Sequence, residues 1–538
     1  MANAKDKLSV LWFRHGLRIH DNPSLHEAIA TPGAKVLPIF IFDGQSAGTW
    51  LCGYNRFTYL LEILQDLDQK FRSFGAKLHI FHGDPVDVLK EINQHTPIVK
   101  LCFEQDPEPI WKKRDDAVKD FCQVNKIEWV EKLGHTLWDP HEVIQCNGGQ
   151  PPLTFSEFNF IISSMGSPAR PLPDVDLSQV GLAQLESIPK LFDHMPSPEE
   201  LGCHREEGQL EHDKKYIGGE SQALEHYAQR LAVELEAFKK HKFLPNRINP
   251  DILCPPRSLS PDLKFGCLSV RKFYWGVMDA FEISRQGTSK PFNPQIVVQL
   301  LWREFFYTMS VDNIYYNEME RNKICINIPW YDAPDHMKAY SRGQTGYPLI
   351  DAGVRQLVKE GWIHHIIRNA LATFLTRGDL WINWVEGANF FLKYLLDGDW
   401  AVNAGNWMWI SSSAFEERLN CPTCIDPGTF GRTADPWGDY VRRYVPELAQ
   451  YPVEYIYEPW LAPLDVQKKA GCLIGKDYPQ RIVIHEEASR QNTIKMREIK
   501  AQLLEQGQNE IPKHVMPSDE KETEKLLIFA DDCTTHAH

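Results

Sequence analysis

Tryptophan offers the most suggestive chemistry in this sequence, because indole is the side chain that an excited cofactor oxidises most easily. The chain has 16 tryptophans, a high count that by itself indicates only extensive packing. Trp381 and Trp384 are separated by neither glycine nor proline, and their spacing predicts that they share one face of a helix. Trp407 follows a polar Asn-Ala-Gly-Asn stretch, and Trp330 ends Ile-Pro-Trp. A row of such indoles could carry an electron from the surface to a buried acceptor, although core packing is the simpler interpretation of spacing alone.

Charged residues inside apolar stretches form a second group. Arg368 and Asp397 lie in strongly apolar sequence, where an ion costs several kcal/mol unless it is paired. A structural salt bridge and a functional ion pair are both compatible with these positions. His364 and His365 are adjacent, so on a helix they would point about 100° apart and could not bind one metal ion together. For either histidine, a place in the core is the simpler interpretation.

The amino-acid composition limits the classes of protein to which this chain could belong. Hydrophobic residues make up 43% and charged residues 24%, as in a globular protein with a large core. The formal net charge of −14 works against binding DNA, which needs clustered lysine and arginine. Neither a secretory signal nor an apolar run long enough to span a bilayer is visible, so no membrane association is expected. The 12 cysteines are scattered, as in proteins of a reducing compartment, and because Cys421 and Cys424 have no second pair, no metal site is predicted.

The elements that would position these residues change character along the chain. β-rich runs alternate with helix-like segments, such as 54–74 and 84–94, over the first ~135 residues, which predicts a doubly wound parallel sheet. No Gly-x-Gly-x-x-Gly follows the first run, so a Rossmann dinucleotide site is not predicted. The predicted strands are 8–13, 35–42, 77–82, 98–104 and 127–131.

Hydrophobic periodicity and proline content divide the chain into units. We predict an α/β domain over residues 1–140, a proline-rich connector over 141–215 and a large all-helical domain over 216–505. Residues 506–538 are predicted to be a polar tail with one short helix that Ser518 would cap. The expected fold class is therefore α/β, with a doubly wound parallel sheet followed by a helical domain.

The opening strand and four stretches of the helical half resemble the cryptochrome/photolyase family. The opening residues 10–18 read VLWFRHGLR, and residues 346–351 read GYPLID. The four helical stretches are 257–269, 299–305, 361–369 and 395–409, and the resemblance is collinear over about residues 8–500. It implies an α/β domain, a connector and an all-helical domain that holds a U-shaped FAD.

The resemblance also implies which residues contact FAD. Arg368 and Asp397 would form an ion pair beside the isoalloxazine ring, and Asn403 would face flavin N5. The implied contacts are Ser258, Leu259, Ser260, Gln299, Arg303, His365, Arg368, Asp397, Asp399 and Asn403.

The same resemblance orders the tryptophans into an electron-transfer chain. Trp407 would lie nearest the flavin, followed by Trp384 and Trp330, with Trp381 as a fourth member. Blue light would excite oxidised FAD, which would then be reduced through this chain.

Asn369 distinguishes between the members of the family. Repair of (6-4) photoproducts needs two histidines four residues apart on one helix, whereas four residues after His365 stands Asn369, whose amide cannot shuttle a proton. The chain therefore most resembles the animal type I, or insect-type, light-responsive cryptochromes. A (6-4) DNA photolyase and a light-independent clock repressor are the alternatives.

Two features depart from the insect type. Asn403 stands where those proteins carry cysteine, which leaves open the charge of the reduced flavin. Their tail ends in an aromatic plug with tryptophan, whereas the corresponding residues here are Leu527, Ile528 and Phe529. Residues 430–432 and 439–444 also look more like the repair and repressor branches.

The resemblance predicts a light sensor without substrate turnover, rather than an enzyme. His365 would gain proton affinity once the flavin is reduced, because its intrinsic pKa lies near neutrality, and the tail helix with Leu527, Ile528 and Phe529 would then loosen. Clock proteins and ubiquitin-ligase adaptors are the expected partners, in the cytoplasm and the nucleus. Whether the chain forms a homo-oligomer or binds an antenna pigment is left open.

Overall fold

A computed structural model describes residues 7–44, 52–206, 215–240, 258–284, 294–415 and 424–505 of the chain. The strands are β1 (Lys7–Phe13), β2 (Ala34–Phe42), β3 (His79–His82), β4 (Ile98–Glu104) and β5 (Glu128–Lys132). The helices of the first part are α1 (Pro23–Ile29), α2 (Tyr54–Ser73), α3 (Pro85–His95), α4 (Lys112–Val124), α5 (Pro140–Cys146) and α6 (Phe155–Met165). Those that follow are α7 (Glu220–Lys239), α8 (Ser260–Lys264), α9 (Val270–Ser284), α10 (Gln295–Ser310), α11 (Pro334–Ser341), α12 (Pro348–Glu360), α13 (His365–Thr373), α14 (Trp384–Tyr394), α15 (Trp400–Ile410), α16 (Pro427–Ala434), α17 (Asp439–Tyr444), α18 (Leu464–Lys469) and α19 (His485–Glu505).

The five strands form one parallel sheet in the order β3-β2-β1-β4-β5. On the central strand β1, Val10 lies opposite Leu37 of β2 and Leu101 of β4. Since the strand order reverses at β1, the loops that follow β1 and β4 meet at the carboxyl edge of the sheet. The strand bounds lie close to those predicted, and the prediction of a doubly wound parallel sheet is confirmed.

The sheet separates two apolar cores. Leu11 and Phe13 of β1 face a large core that continues into the helical half, whereas Val10 and Trp12 face a smaller core that α3 and α4 complete. Burial on both faces explains why these strands read as continuous apolar runs.

The rest of the described chain is mainly helical. The predicted connector contains α5 and α6 and then runs extended along the sheet, where Gly181 O accepts from Val36 N at 2.8 Å and Ile80 O accepts from Phe192 N at 2.9 Å. The fold class predicted from sequence, a parallel sheet followed by a large helical domain, is confirmed. Among the described helices, none combines the length and apolar character that a membrane crossing needs.

The N-terminal end of α2 docks on the helical half. Arg56, which is 1% exposed, donates to Leu392 O and Gly398 O, both at 2.6 Å. Asn55 donates to Lys359 O at 2.9 Å. A guanidinium at the C-terminal end of α14 is favourable, because the last carbonyls of a helix are unsatisfied and carry partial negative charge. This contact holds the turn between α14 and α15 against the sheet domain.

A buried ion pair ties the loop after β1 to the start of α9. Asp21 accepts from Arg271 Nε at 3.0 Å, from Arg271 Nη2 at 2.7 Å and from Leu172 N at 2.8 Å, and it also accepts from the Ser269 hydroxyl. Burial raises the pKa of Asp21, but Arg271, Ser269 and Leu172 together hold it below its usual range. The pair therefore fixes α9 to the edge of the sheet domain.

We expect Arg271→Met to destabilise the protein by about 3–5 kcal/mol, because it leaves the Asp21 carboxylate buried without its cation. The shift in thermal midpoint measures this. Lys112→Met is the control, since Lys112 and Asp116 form an exposed pair on α4 whose removal should cost under about 1 kcal/mol. Equal shifts in the two variants would contradict the assignment.

Candidate cofactor and electron-transfer site

Four of the residues implied to bind FAD form one hydrogen-bonded group. Arg368 Nη2 lies 2.9 Å from Asp397 Oδ2, and the Ser260 hydroxyl donates to the same oxygen at 2.6 Å. Ser258 Oγ lies 2.8 Å from Ser260 Oγ. Residues from α8, α13 and the α14–α15 turn thus converge although they are far apart in sequence.

Asp397 leaves one acceptor unused in this group. Its Oδ1 atom is buried and has no hydrogen-bond partner among the described residues. A buried carboxylate oxygen without a donor is costly, and a bound group with N–H or O–H donors would satisfy it. The isoalloxazine ring and the ribityl chain of FAD both carry such donors, so the residues present fit this cofactor.

A second polar network surrounds Asp399, which caps α15 by accepting from Val402 N at 3.0 Å. The Tyr307 hydroxyl donates to Asp399 and lies 2.7 Å from His135 Nε2. Burial raises the pKa of Asp399, but Lys264 and Arg303 outweigh this effect and hold the pKa below its usual range. Asp399 is therefore an ionised carboxylate at the N-terminal end of α15.

Lys264 joins this network to the sheet domain. Its Nζ lies 3.7 Å from Asp399 Oδ2 and 3.2 Å from Glu108 Oε1. Glu108 follows β4, and it also accepts from Trp400 N at 3.3 Å. Groups from both domains therefore fix where α15 begins.

Arg303 and Glu304 form a buried pair on α10. Arg303 Nη1 lies 2.9 Å from Glu304 Oε1, and its guanidinium lies 4.8 Å from the centre of the Tyr307 ring. Burial raises the pKa of Glu304 to about 7, although the charge of Arg303 opposes this. Gln299 lies one turn earlier on α10 with an exposed side chain.

The rings of the two adjacent histidines lie against each other at a tilt of 37° rather than pointing apart. His364 does not belong to α13 but caps it, accepting from Ile366 N at 3.3 Å, and the centroids of the His364 and His365 rings are 4.2 Å apart. The expectation that they point about 100° apart is wrong, because the extended backbone of the cap residue turns its side chain toward the first turn of the helix.

Burial lowers the pKa of His365 to about 3, and His364 and Arg368 add to this effect. Burial also lowers the pKa of His364 to about 4. Both rings are therefore neutral at physiological pH. Asn369 follows His365 by one turn on α13, so the two side chains share a face of that helix.

Asn403 lies on α15 and donates from Nδ2 to Ala388 O of α14 at 2.8 Å. Trp407 lies one turn further along α15, where the crossing of α14 and α15 is close. A side chain at Gly387 would bring a Cβ atom within 2.1 Å of the Trp407 ring. Phe391 contacts Trp407 edge-on, with ring centroids 4.9 Å apart. Glycine at position 387 therefore allows Trp407 to pack against α14, the helix that begins at Trp384.

Trp330 and Trp381 lie together, with ring centroids 5.0 Å apart. The prediction that Trp381 and Trp384 share one helix face is wrong, since α14 begins at Trp384 and Trp381 precedes it with a left-handed backbone, φ +53°. Asn383 caps α14 by accepting from Val385 N at 3.0 Å. An asparagine before an apolar run is a start signal for a helix, so the sequence carried the information that separates the two indoles.

Sequence reasoning missed Arg56, Glu108, Lys264 and Tyr307, which position the implied cofactor residues. Each acts on residues more than 90 positions away, so no local pattern marks them. Three predicted signalling residues, Leu527, Ile528 and Phe529, lie outside the described residues, as does Cys421.

Comparisons with known proteins match one family domain to the sheet domain of this chain and a second one to its helical domain. Residues 9–174 match the DNA photolyase domain, and residues 296–498 match the FAD-binding domain of DNA photolyase. Cryptochrome-1 of Aedes aegypti is 48% identical over 97% of this chain and 98% of that protein, and Cryptochrome-1 of Drosophila melanogaster is 43% identical over 97% and 98%. A bacterial class III photolyase from Agrobacterium tumefaciens superposes with a TM-score of 0.77 at 27% identity, covering 93% of this chain and 100% of that one.

We expect Tyr307→Phe to weaken FAD binding by roughly 5- to 100-fold, because it removes a donor from the buried Asp399 carboxylate, a loss of about 1–3 kcal/mol. Titration of the apoprotein with FAD, followed by flavin fluorescence, measures the affinity. Tyr340→Phe is the matched control, since Tyr340 is equally buried and donates to Leu371 O at 3.2 Å away from this network. An unchanged affinity in Tyr307→Phe would show that the network does not position the cofactor residues.

His365 should make the protein sensitive to acid. Because its pKa falls from 6.5 to about 3 on folding, the unfolded chain binds the proton first, and the free energy of unfolding decreases as pH falls from 6.5 toward 3. His365→Asn should remove up to about 1.4 kcal/mol of this loss per pH unit, seen as a flatter dependence of thermal midpoint on pH. His364→Asn keeps a capping side chain and should remove a smaller step that ends near pH 4. Parallel profiles for His365→Asn and the unmodified protein would contradict the burial of a neutral ring.

Proposed function

The chain belongs to the cryptochrome/photolyase family and is a flavoprotein with FAD as its cofactor, and from this we propose that it is a blue-light photoreceptor with Trp407, Trp384 and Trp330 as electron donors. The observation that carries the proposal is the packing of tryptophans on α14 and α15, the helices whose connecting turn bears Asp397 and Asp399. The near full-length similarity to insect cryptochromes supports the same function.

FAD supplies the absorption of blue light and, once excited, a strong demand for an electron. The contribution of the protein is to hold the electron donors in place. Trp407 is buried on α15 against α14, and Trp384 is buried at the first position of α14. Trp330 is half-buried and contacts Trp381, so the oxidised site would move from the core toward the edge of the helical domain.

His365 would act as the proton acceptor that registers reduction of the flavin. In the dark its ring is neutral, because burial and the nearby Arg368 oppose a second positive charge. New negative charge nearby would favour the imidazolium, as any anion close to a histidine does. Release of the 506–538 tail would follow as the signal, with clock proteins and ubiquitin-ligase adaptors as the partners. We place this activity in the cytoplasm and nucleus.

A sensor is favoured over a repair enzyme by the pair on α13. His365 and Asn369 occupy one face of the helix, and an amide cannot replace the second histidine in acid–base chemistry on a lesion. We therefore propose that the protein turns over no substrate. A (6-4) photolyase is the alternative that Asn403 favours, because it matches the repair enzymes at that position.

Trp407→Phe should slow photoreduction of bound FAD under blue light at least tenfold, because phenylalanine is far harder to oxidise than tryptophan. Loss of oxidised-flavin absorbance over time measures the rate. Trp409→Phe is the matched control, since Trp409 lies on the same helix and packs against Trp302 with centroids 4.7 Å apart. Equal rates in the two variants would exclude Trp407 as the first donor, and repair of a (6-4) lesion by the purified protein would exclude the sensor.

A further inference from the structure

The last described helix, α19, covers one end of the tryptophan cluster. Trp381 is 1% exposed, although it lies outside the helices that form the core, because α19 packs over it and over the π-helical turn that precedes it. Lys495 projects from the middle of α19 onto this site. Its ammonium lies 4.8 Å from the centroid of the Trp381 ring.

Lys495 also binds the neighbour of Trp330. It lies 4.2 Å from the centroid of the Tyr331 ring and donates to the Tyr331 hydroxyl and to Asn492 Oδ1. An ammonium within about 6 Å of an aromatic face is attracted by the negative charge of that face. In the reduced state, both aromatic rings therefore hold Lys495, and with it α19, against the end of the cluster.

The hydrogen bond of Trp381 determines what oxidation would do to this contact. Trp381 Nε1 donates to Pro329 O at 2.9 Å. A peptide carbonyl is not a base at neutral pH, so an oxidised Trp381 would keep its N–H proton and its positive charge. The attraction of Lys495 to an electron-rich ring would then become repulsion between two cations at short range.

We propose that Lys495 couples the oxidation of Trp381 to the docking of α19. The inference rests on the electron chain of the proposed function and extends it by one member, Trp381. The light-excited flavin is the oxidant, one electron leaves Trp381 for oxidised Trp330, and no proton moves. By linkage, a docked Lys495 makes oxidised Trp381 less stable, and oxidised Trp381 loosens α19 by the same free energy.

The described polar contacts of α19 with this part of the fold lie near Lys495 and at the start of the helix. Asn492 donates to Gly378 O and Asp379 O at 3.2 Å, and His485 Nδ1 lies 2.7 Å from Asp379 Oδ1 at the start of the helix. Residues 506–538 follow α19 directly. The coupling would thus provide a second way to release the 506–538 tail, independent of proton uptake by His365.

Two measurements on the full-length, FAD-bound protein test the coupling. Transient absorption should show that oxidised tryptophan lives at least threefold longer in Lys495→Met, because the repelling charge is gone. Amide hydrogen exchange over 485–505 should rise at least fivefold under continuous blue light in the unmodified protein, and this rise should be lost in Lys495→Met. Lys495→Arg keeps the charge and should behave like the unmodified protein, as should Arg497→Met, which removes an exposed charge from the same helix.

Trp381→Phe provides an independent variant with Lys495 in place. It should lose the light-induced exchange while photoreduction through Trp330 continues. One outcome is normal photoreduction together with a lifetime of oxidised tryptophan, or a light-induced rise in amide exchange, that is the same in Lys495→Met as in the unmodified protein. That result overturns the coupling and leaves the proposed function standing. If the unmodified protein shows no photoreduction, both are overturned together.

Discussion

The cofactor side of the structure depends on one buried ammonium between two carboxylates. Lys264 is 3% exposed and lies between Glu108 of the sheet domain and Asp399 of the helical domain. A buried ammonium is tolerated only when it is paired, and separation of the two domains would break the pair between Lys264 and Glu108. This constraint places the N-terminal end of α15 at the carboxyl edge of the sheet, beside the point where the strand order reverses. Arg56 acts in the same direction from α2.

The polar and the aromatic parts of the helical half are therefore held in place by different kinds of contact. Around Asp397 and Asp399, hydrogen bonds and ion pairs from several helices hold the turn in one geometry, and Asp397 Oδ1 is left for a bound group. At the far end of the tryptophan cluster, α19 packs on the π-helical turn and is held there by a lysine on two rings, by the His485–Asp379 pair and by hydrogen bonds from Asn492. Proteins draw their moving elements from regions of low local stability, whereas preorganised sites need the opposite. The fold thus joins a turn held by several ion pairs and hydrogen bonds to a helix that docks largely through a cation on aromatic rings.

The sequence predicts the sheet well because apolar runs of strand length, separated by helical periods, encode a buried parallel sheet directly. It also predicts that Arg368 and Asp397 need partners, and the structure joins them. It does not predict Arg56 or Tyr307, because nothing near these residues shows which distant carbonyl or carboxylate they will meet, 336 positions away for Arg56 and Leu392 and 92 positions away for Tyr307 and Asp399. The error at Trp381 has a local cause, because Asn383 lies between the two indoles and its side chain caps the start of a new helix. The prediction for the histidine pair is wrong for the same reason, since His364 caps α13 and does not lie within it.

The left-handed backbone at Trp381 has a consequence for how this protein can be improved. An L-residue with φ +53° costs about 1–2 kcal/mol more than glycine would at the same place. Glycine or asparagine would relieve that strain but would also remove a fully buried indole at a cost of about 3–5 kcal/mol, so selection for folding energy alone would keep a large aromatic side chain there. Residue 381 is therefore a position where exchange for glycine, the usual remedy for a left-handed backbone, should lower stability rather than raise it.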